Sequence, residues 1–334
     1  MLCIFADDIR VIREIFDDTD PESLQSDLDQ LYKWAEHNNM KYNGTKFLCM
    51  KYGKNDIRKE EYNYINSSYT DAIAETDNMR DLGVTVSNTG DFNEHIYKIT
   101  RKAKQTCGWI SRSFHRNDID FRRHMLRTYI QCQIDYASQL WSPINPTLIE
   151  HLESAQKQYT ARTAGLELYN YWERLRLMRL NSIQRRHERY KTLYIWKTIQ
   201  GLVPNYGLKW DTNIRRGRVV ILPQIKSTFS SKAKELREQS LIMHGGRIFI
   251  MLPHDFRNWT GSKDQFKVKL DQFLKDIPDQ PASPGLIPEP VSSISCKNSN
   301  SLTDWIPHLK LQDRRPDVDA DQLISADQDS INLT

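Results

Sequence analysis

The residues best suited to chemistry come almost first: Leu2-Cys3-Ile4-Phe5-Ala6-Asp7-Asp8-Ile9-Arg10-Val11. Two adjacent carboxylates lie between two short apolar runs, the pattern of a hairpin with an acidic tip. Successive strand residues face opposite sides, but at a tight turn both Asp7 and Asp8 can project into one solvent-facing space. Such a pair suits Mg2+, which takes a few carboxylates together with phosphate oxygens. Two such ions can activate an attacking hydroxyl and stabilise a leaving pyrophosphate. By itself, an Asp-Asp pair is a weak signal, since such pairs occur by chance in turns.

A second group of chemically capable residues is basic. Residues 1–95 hold 10 Lys/Arg against 19 Asp/Glu, whereas residues 96–200 hold 19 against 8. The remainder is close to balance, so the net charge of +4 conceals an acidic first third beside a basic middle third. Lys98, Arg101, Lys102, Lys104, Arg112, Arg116, Arg122, Arg123 and Arg127 concentrate in one stretch with few acids nearby. That distribution suits either a polyanion-binding surface or solvated helix faces. If about six of these cations met phosphates, log affinity would fall with log salt at a slope near −5. Arg185, Arg186, Arg189 and Lys191 read as a solvated face, and Trp109, Trp141, Trp172 and Trp196 as core packing.

The elements that must position these groups can be read from periodicity and punctuation. Residues 2–16 form two short strands around the acidic tip. Asp20-Pro21-Glu22-Ser23 starts a helix over 21–38, with Leu24, Leu28, Leu31, Tyr32 and Ala35 at helical spacing. Phe47-Leu48-Cys49-Met50 reads as a buried strand, 54–78 as a loop or ragged hairpin, and Leu82-Gly83-Val84-Thr85-Val86 as another strand. From Phe92 the pattern turns helical, over 92–115, 118–139, 146–164 and 170–201, with short connections that imply a bundle. A β-like segment at 219–222 and a helix at 262–276 follow. Beyond Pro278 the composition of Pro, Ser, Asn and Asp points to disorder.

The fold class is therefore α+β, mostly α, in four parts: 1–91, 92–204, 205–278 and 279–334. No apolar run reaches the roughly 18–20 residues of a membrane span, and the start lacks the pattern of a signal peptide. An intracellular chain, nuclear or cytoplasmic, is the expectation. Five scattered cysteines without Cys-x-x-Cys spacing suggest free thiols rather than a zinc site or redox pair. The nine histidines read as structural or surface groups.

Several motifs, in order, carry a family resemblance. Phe5-Ala6-Asp7-Asp8 resembles the metal-binding tip of the reverse transcriptases of non-LTR (LINE-type, jockey-like) retrotransposons. Leu24-Gln25-Ser26-Asp27-Leu28, Trp34, Asn39-Met40-Lys41-Tyr42-Asn43 and Lys46 are similar to the helix and strand that follow it. Leu82-Gly83-Val84-Thr85-Val86-Ser87 resembles the primer-grip strand. Gly108-Trp109-Ile110, Asp135-Tyr136, Leu140-Trp141-Ser142-Pro143, Tyr171-Trp172-Glu173-Arg174-Leu175, Gln184-Arg185-Arg186, Gly201-Leu202-Val203-Pro204-Asn205 and Phe266 to Leu274 continue the likeness, which spans about residues 2–285.

The resemblance implies the end of a palm over 1–91, a thumb-like helical region over 92–204, and RNA-directed DNA polymerase as the family activity. It implies Mg2+ held by Asp7 and Asp8, with Lys46 near the incoming nucleotide's phosphates or else a plain surface lysine. Leu82, Gly83 and Val84 would position the primer, and an RNA template and a DNA primer would be the partners. The family's palm has a further metal-binding Asp and fingers upstream of the tip. The expectation is thus a C-terminal fragment without polymerase activity on its own, or alternatively a non-catalytic basic helical module that binds nucleic acid.

Overall fold

Turn chemistry shapes the first third of the chain. In the computed structural model, which describes residues 2–6, 8–17, 19–53, 62–66, 69–213, 217–281 and 300–312, β1 (Leu2–Phe5) and β2 (Asp8–Val11) pair antiparallel with Phe5 opposite Asp8. That register leaves a two-residue loop, and its first residue, Ala6, sits at φ +53°, the left-handed region that such tight hairpins need. Helix α1 (Asp20–His37) follows, with Pro21 in its first turn and Asp20 accepting the backbone N–H groups of Phe16 and Asp17.

The remaining strands of this region are β3 (Leu48–Cys49), β4 (Asn63–Asn66), β5 (Tyr69–Ala72), β6 (Ala74–Glu75), β7 (Asn78–Asp81) and β8 (Val84–Ser87). They pair as separate two-stranded ladders, β3 with β6 in parallel and β4–β5 and β7–β8 as antiparallel hairpins. The expected buried strand at 47–50 is thus only two residues long, and its Leu48 is exposed. Among the described residues here, the fully buried apolar side chains are few, chiefly Ala35 and Val84. Polar ties compensate: the Gln25 side chain both donates to the carbonyl of Asn63 and accepts its N–H, each at 2.9 Å, clamping α1 to β4.

The chain divides into two units, Met1–His95 and Ile96–Thr334, and the second carries most of the core. Helix α2 (Asn93–Ser113) buries Ile96, Ile99, Ala103, Cys107 and Ile110, a stripe at three- and four-residue spacing. Helix α3 (Ile119–Met125) is capped by Asp118 and runs through a π-helical stretch, Leu126–Gln131, into α4 (Cys132–Asp135). Short α5 (Ser138–Trp141) leads to α6 (Pro146–Thr160), which Asn145 caps ahead of Pro146.

The helix expected over 170–201 is two. Helix α7 (Tyr171–Leu177) begins with a capping box of Asn170 and Glu173 and ends as Arg179 enters the left-handed region at φ +50°. Ser182 then caps a fresh start, α8 (Ile183–Ile199).

Helix α8 is the centre of this unit. Around it lie the hairpin β9 (Lys209–Asn213) and β10 (Gly217–Ile221), α9 (Ser231–Gln239), α10 (Gly246–Met251), α11 (His254–Arg257) and α12 (Lys263–Lys275). Trp196 of α8 stacks on Phe266 of α12, with centroids 4.4 Å apart and planes 7° from parallel. Gly246 allows α10 to close on β10, since a Cβ there would lie 2.8 Å from the Leu222 side chain.

The tail expected to be disordered is not uniformly so. Residues 302–312 form α13 (Leu302–Gln312), and Leu302, Trp305 and Ile306 are buried in the same core cluster as Trp196 and Phe266. Residues 282–299 and 313–334, the rest of that expectation, lie outside the described residues. No helix among the described residues is long and apolar enough to cross a membrane.

Candidate nucleic-acid interface

At the acidic tip, the structure describes one of the two carboxylates. Asp8 is the first residue of β2 and is exposed, while Asp7 lies outside the described residues. Two residues on, Arg10 forms an ion pair with Asp81 at the end of β7, tying the tip hairpin to the β7–β8 hairpin. Leu82 and Gly83 are not strand residues but the two-residue turn of that second hairpin, at φ +43° and +87°. Val84 begins β8 and is buried.

Lys46 is exposed at the end of a single 3-10 turn, Gly44–Lys46, and neither it nor Asp8 takes part in an ion pair among the described residues. No group of three or more His, Cys, Asp or Glu side chains converges to hold a metal among the described residues. The Mg2+ pair that the resemblance implies needs Asp7 beside Asp8, and Asp7 lies outside the described residues.

The basic stretch is better defined. Along α2, Lys98, Arg101, Lys102, Gln105, Trp109 and Arg112 recur at three- and four-residue intervals and all are exposed, opposite the buried Ile96–Ile110 stripe. Lys104 flanks this face, half-buried. Arg101, Lys102, Lys104 and Arg112 carry no acidic partner among the described residues. Arg112 folds back over the preceding turn, its guanidinium 3.2 Å from where a Cβ on Gly108 would be.

Three of the expected phosphate contacts sit differently. Arg122 is buried (3% exposed), with its guanidinium 3.7 Å from the Tyr159 ring centroid and donating to the Tyr159 carbonyl and to Ser111. Burial pushes its pKa down, and it is a core residue, a correction to the sequence reading. Arg116 pairs with Asp118, and Arg123 with Asp120, so these two cations are partly neutralised where they stand. Arg127 is exposed and donates to the Arg179 carbonyl at 2.9 Å.

Trp109, expected in the core, is 46% exposed. Phe114 and Tyr129 meet it in edge-to-face geometry at 6.0 and 6.1 Å, and both are themselves partly exposed. Trp141 and Trp196 are buried as expected, and Trp172 is half-buried.

The residues that sequence reasoning misplaced most are those of α8. Arg185, Arg186, His187, Glu188 and Lys191 are buried, not a solvated face. Arg186 meets Asp135 through two nitrogens at 3.0–3.2 Å and also donates to Gln156 and the Asn181 carbonyl. Burial raises the Asp135 carboxyl, but the charges of Arg186 and His187 overcome that and hold it at about 2. Glu153 accepts from the Tyr171 hydroxyl and the Gln184 N–H, and its burial pushes it up to about 7.

Glu188 accepts from Ser301 and from the Leu302 N–H, so it caps the start of α13 from another helix; burial lifts it also to about 7. Lys191 lies 3.0 Å from His244 and 3.2 Å from the Ser142 carbonyl, and burial lowers it to about 7. Every one of these contacts is internal, which makes the network a device for fixing helices to one another. One signal of it was available: α8 carries no continuous polar face, because its charged residues fall all round the helix.

A search of protein-family models, curated proteins and solved structures finds no match to this chain.

Proposed function

We propose that the outer face of α2 binds nucleic acid, and that the chain is a piece of a non-LTR-type reverse transcriptase, with an RNA template and a DNA primer as the class of partner. The observation that carries the binding role is the row of cations, exposed Arg101, Lys102 and Arg112 with half-buried Lys104 beside them, without acidic partners among the described residues and with an exposed tryptophan among them. A cation held by a nearby carboxylate gains little from a phosphate; four without such partners release counterions on meeting one. In an anisotropy titration with labelled oligo(dT), replacing all four by Gln weakens binding at least about tenfold at moderate salt and leaves the melting temperature unchanged. Equal binding by the two proteins refutes the assignment.

The reverse-transcriptase lineage has its own supporting observation. Phe5 and Asp8 pair at the end of the β1–β2 hairpin, and the Arg10–Asp81 pair joins that hairpin to the one carrying Leu82–Val84. The tip and the proposed primer-positioning segment thus share one unit.

A further inference from the structure

The basic face of α2 differs from a plain phosphate-binding helix in one respect: its most exposed large ring sits among its cations. Trp109 lies seven and eight residues beyond Lys102 and Arg101, two helical turns, and three before Arg112. The Arg112 guanidinium is folded back over Gly108, next to the indole in sequence. From Arg101 to Arg112 the face runs for about 16 Å at the helical rise per residue, enough to follow a few nucleotides of a strand.

The indole is also held in place. Phe114 and Tyr129 pack against it at interplanar angles of 88° and 68°, so neither is stacked upon it, and Phe121 supports Phe114 at 5.5 Å. Tyr129 comes from the π-helical stretch Leu126–Gln131, and it is 43% exposed. An aromatic ring fixed by its neighbours, nearly half open to solvent and flanked by cations without acidic partners among the described residues, has the features of a base-stacking platform in a phosphate-tracking surface.

We propose that this face selects unpaired nucleic acid, with bases stacking on Trp109 beside Tyr129 while Arg101, Lys102, Lys104 and Arg112 follow the phosphates. The inference rests on the nucleic-acid-binding reading above and adds its substrate class. A duplex presents the same phosphates but keeps its bases stacked on one another, so only the unpaired strand gains from the ring.

The test uses the full chain and three labelled 15-mers at one salt concentration: oligo(dT), a duplex, and an abasic phosphodiester strand. The wild type should bind oligo(dT) about tenfold more tightly than the abasic strand, the scale of one base–aromatic contact. Trp109→Ala should remove that advantage, leave duplex binding within about twofold and leave the salt slope unaltered, whereas Trp109→Phe should keep most of it. Equal wild-type affinity for oligo(dT) and the abasic strand overturns the proposal without any variant having to fold. An equal loss on all three ligands in Trp109→Ala also overturns it, since the ring is then structural. If none of the three binds with salt dependence, the underlying nucleic-acid reading fails instead, a distinguishable result.

Discussion

Replacing Asp135 by Asn removes the negative charge from the most densely connected point of the α8 network. In the folded protein that carboxylate faces Arg186 at 3.0–3.2 Å, the Tyr190 hydroxyl at 3.3 Å and His187 at 3.5 Å. The side chains of Asp135 and Arg186 are 13% and 8% exposed, so solvent screens the pair little. Holding the carboxyl at about 2 instead of 3.8 corresponds to roughly 2–3 kcal/mol of native-state stability at neutral pH.

Leaving a buried Arg without its anion costs about 3–5 kcal/mol in general. Asn preserves the shape and one acceptor, so the expected loss is about 2–4 kcal/mol. With a urea dependence of about 2–3 kcal/mol per molar, the midpoint of the helical unit should fall by about 1 M. Tryptophan fluorescence can follow the transition, because the buried Trp141 ring lies 5.2 Å from that of His187. The depressed acid also fixes the pH sense: the wild type keeps this contribution above about pH 4 and loses it toward pH 2, while the variant lacks it throughout. A midpoint shift below about 0.3 M would refute the view that this pair organises the helices.

Three further outcomes are expected. Glu153 and Glu188 are raised to about 7 in the folded chain, so their ionisation takes stability away as pH climbs from about 4.5 to 7; Lys191, lowered to about 7, acts in the opposite sense above that. Glu153→Gln should therefore flatten the fall in melting temperature between pH 5 and 8, and an unaltered fall would assign it elsewhere. Trp305→Ala should cost about 3–5 kcal/mol in urea unfolding, because Trp305 packs in the core and donates to the Gln280 carbonyl at 3.1 Å. A loss under about 1 kcal/mol would mean that α13 is not docked as described. Leu82→Asn should raise the stability of the first unit by about 0.5–1 kcal/mol, since Asn suits the left-handed first position of the β7–β8 turn; destabilisation would contradict that turn geometry.

The legible parts of this chain were those where local signals agree. Pro21 with its acidic neighbours marked α1, and the helical patterns over 92–115 and 146–164 marked α2 and α6. The α2 cations were legible too, as charge with few acids nearby. What failed was anything settled by tertiary partners. Arg122 and Trp109 were both misplaced by a periodicity argument: the first packs inside on Tyr159, while the ring of the second meets Phe114 and Tyr129 edge-on and stays 46% exposed. The charges of α8 read as solvated because their partners Asp135, Glu153, His244, Asp279 and Ser301 lie about 30 to more than 100 residues away in sequence. Helix α13 was hidden by the polar composition around it, although Leu302, Trp305 and Ile306 have helical spacing of their own. Leu82-Gly83 read as strand because a two-residue turn with a leucine at positive φ goes against residue preference.

The central claim, that four unpaired cations on α2 meet phosphates, is tested most directly by the salt dependence of the wild-type chain binding oligo(dT). Of the nine cations in this stretch, Arg122 is buried, Arg116 and Arg123 have their own acids, Arg127 donates to the Arg179 carbonyl and Lys98 has an interaction of its own, which leaves four. At about −0.7 per phosphate contact on a single strand, four contacts give a slope of log affinity against log salt near −3. A measured slope between about −2 and −4 agrees with the account, and one shallower than about −1 contradicts it.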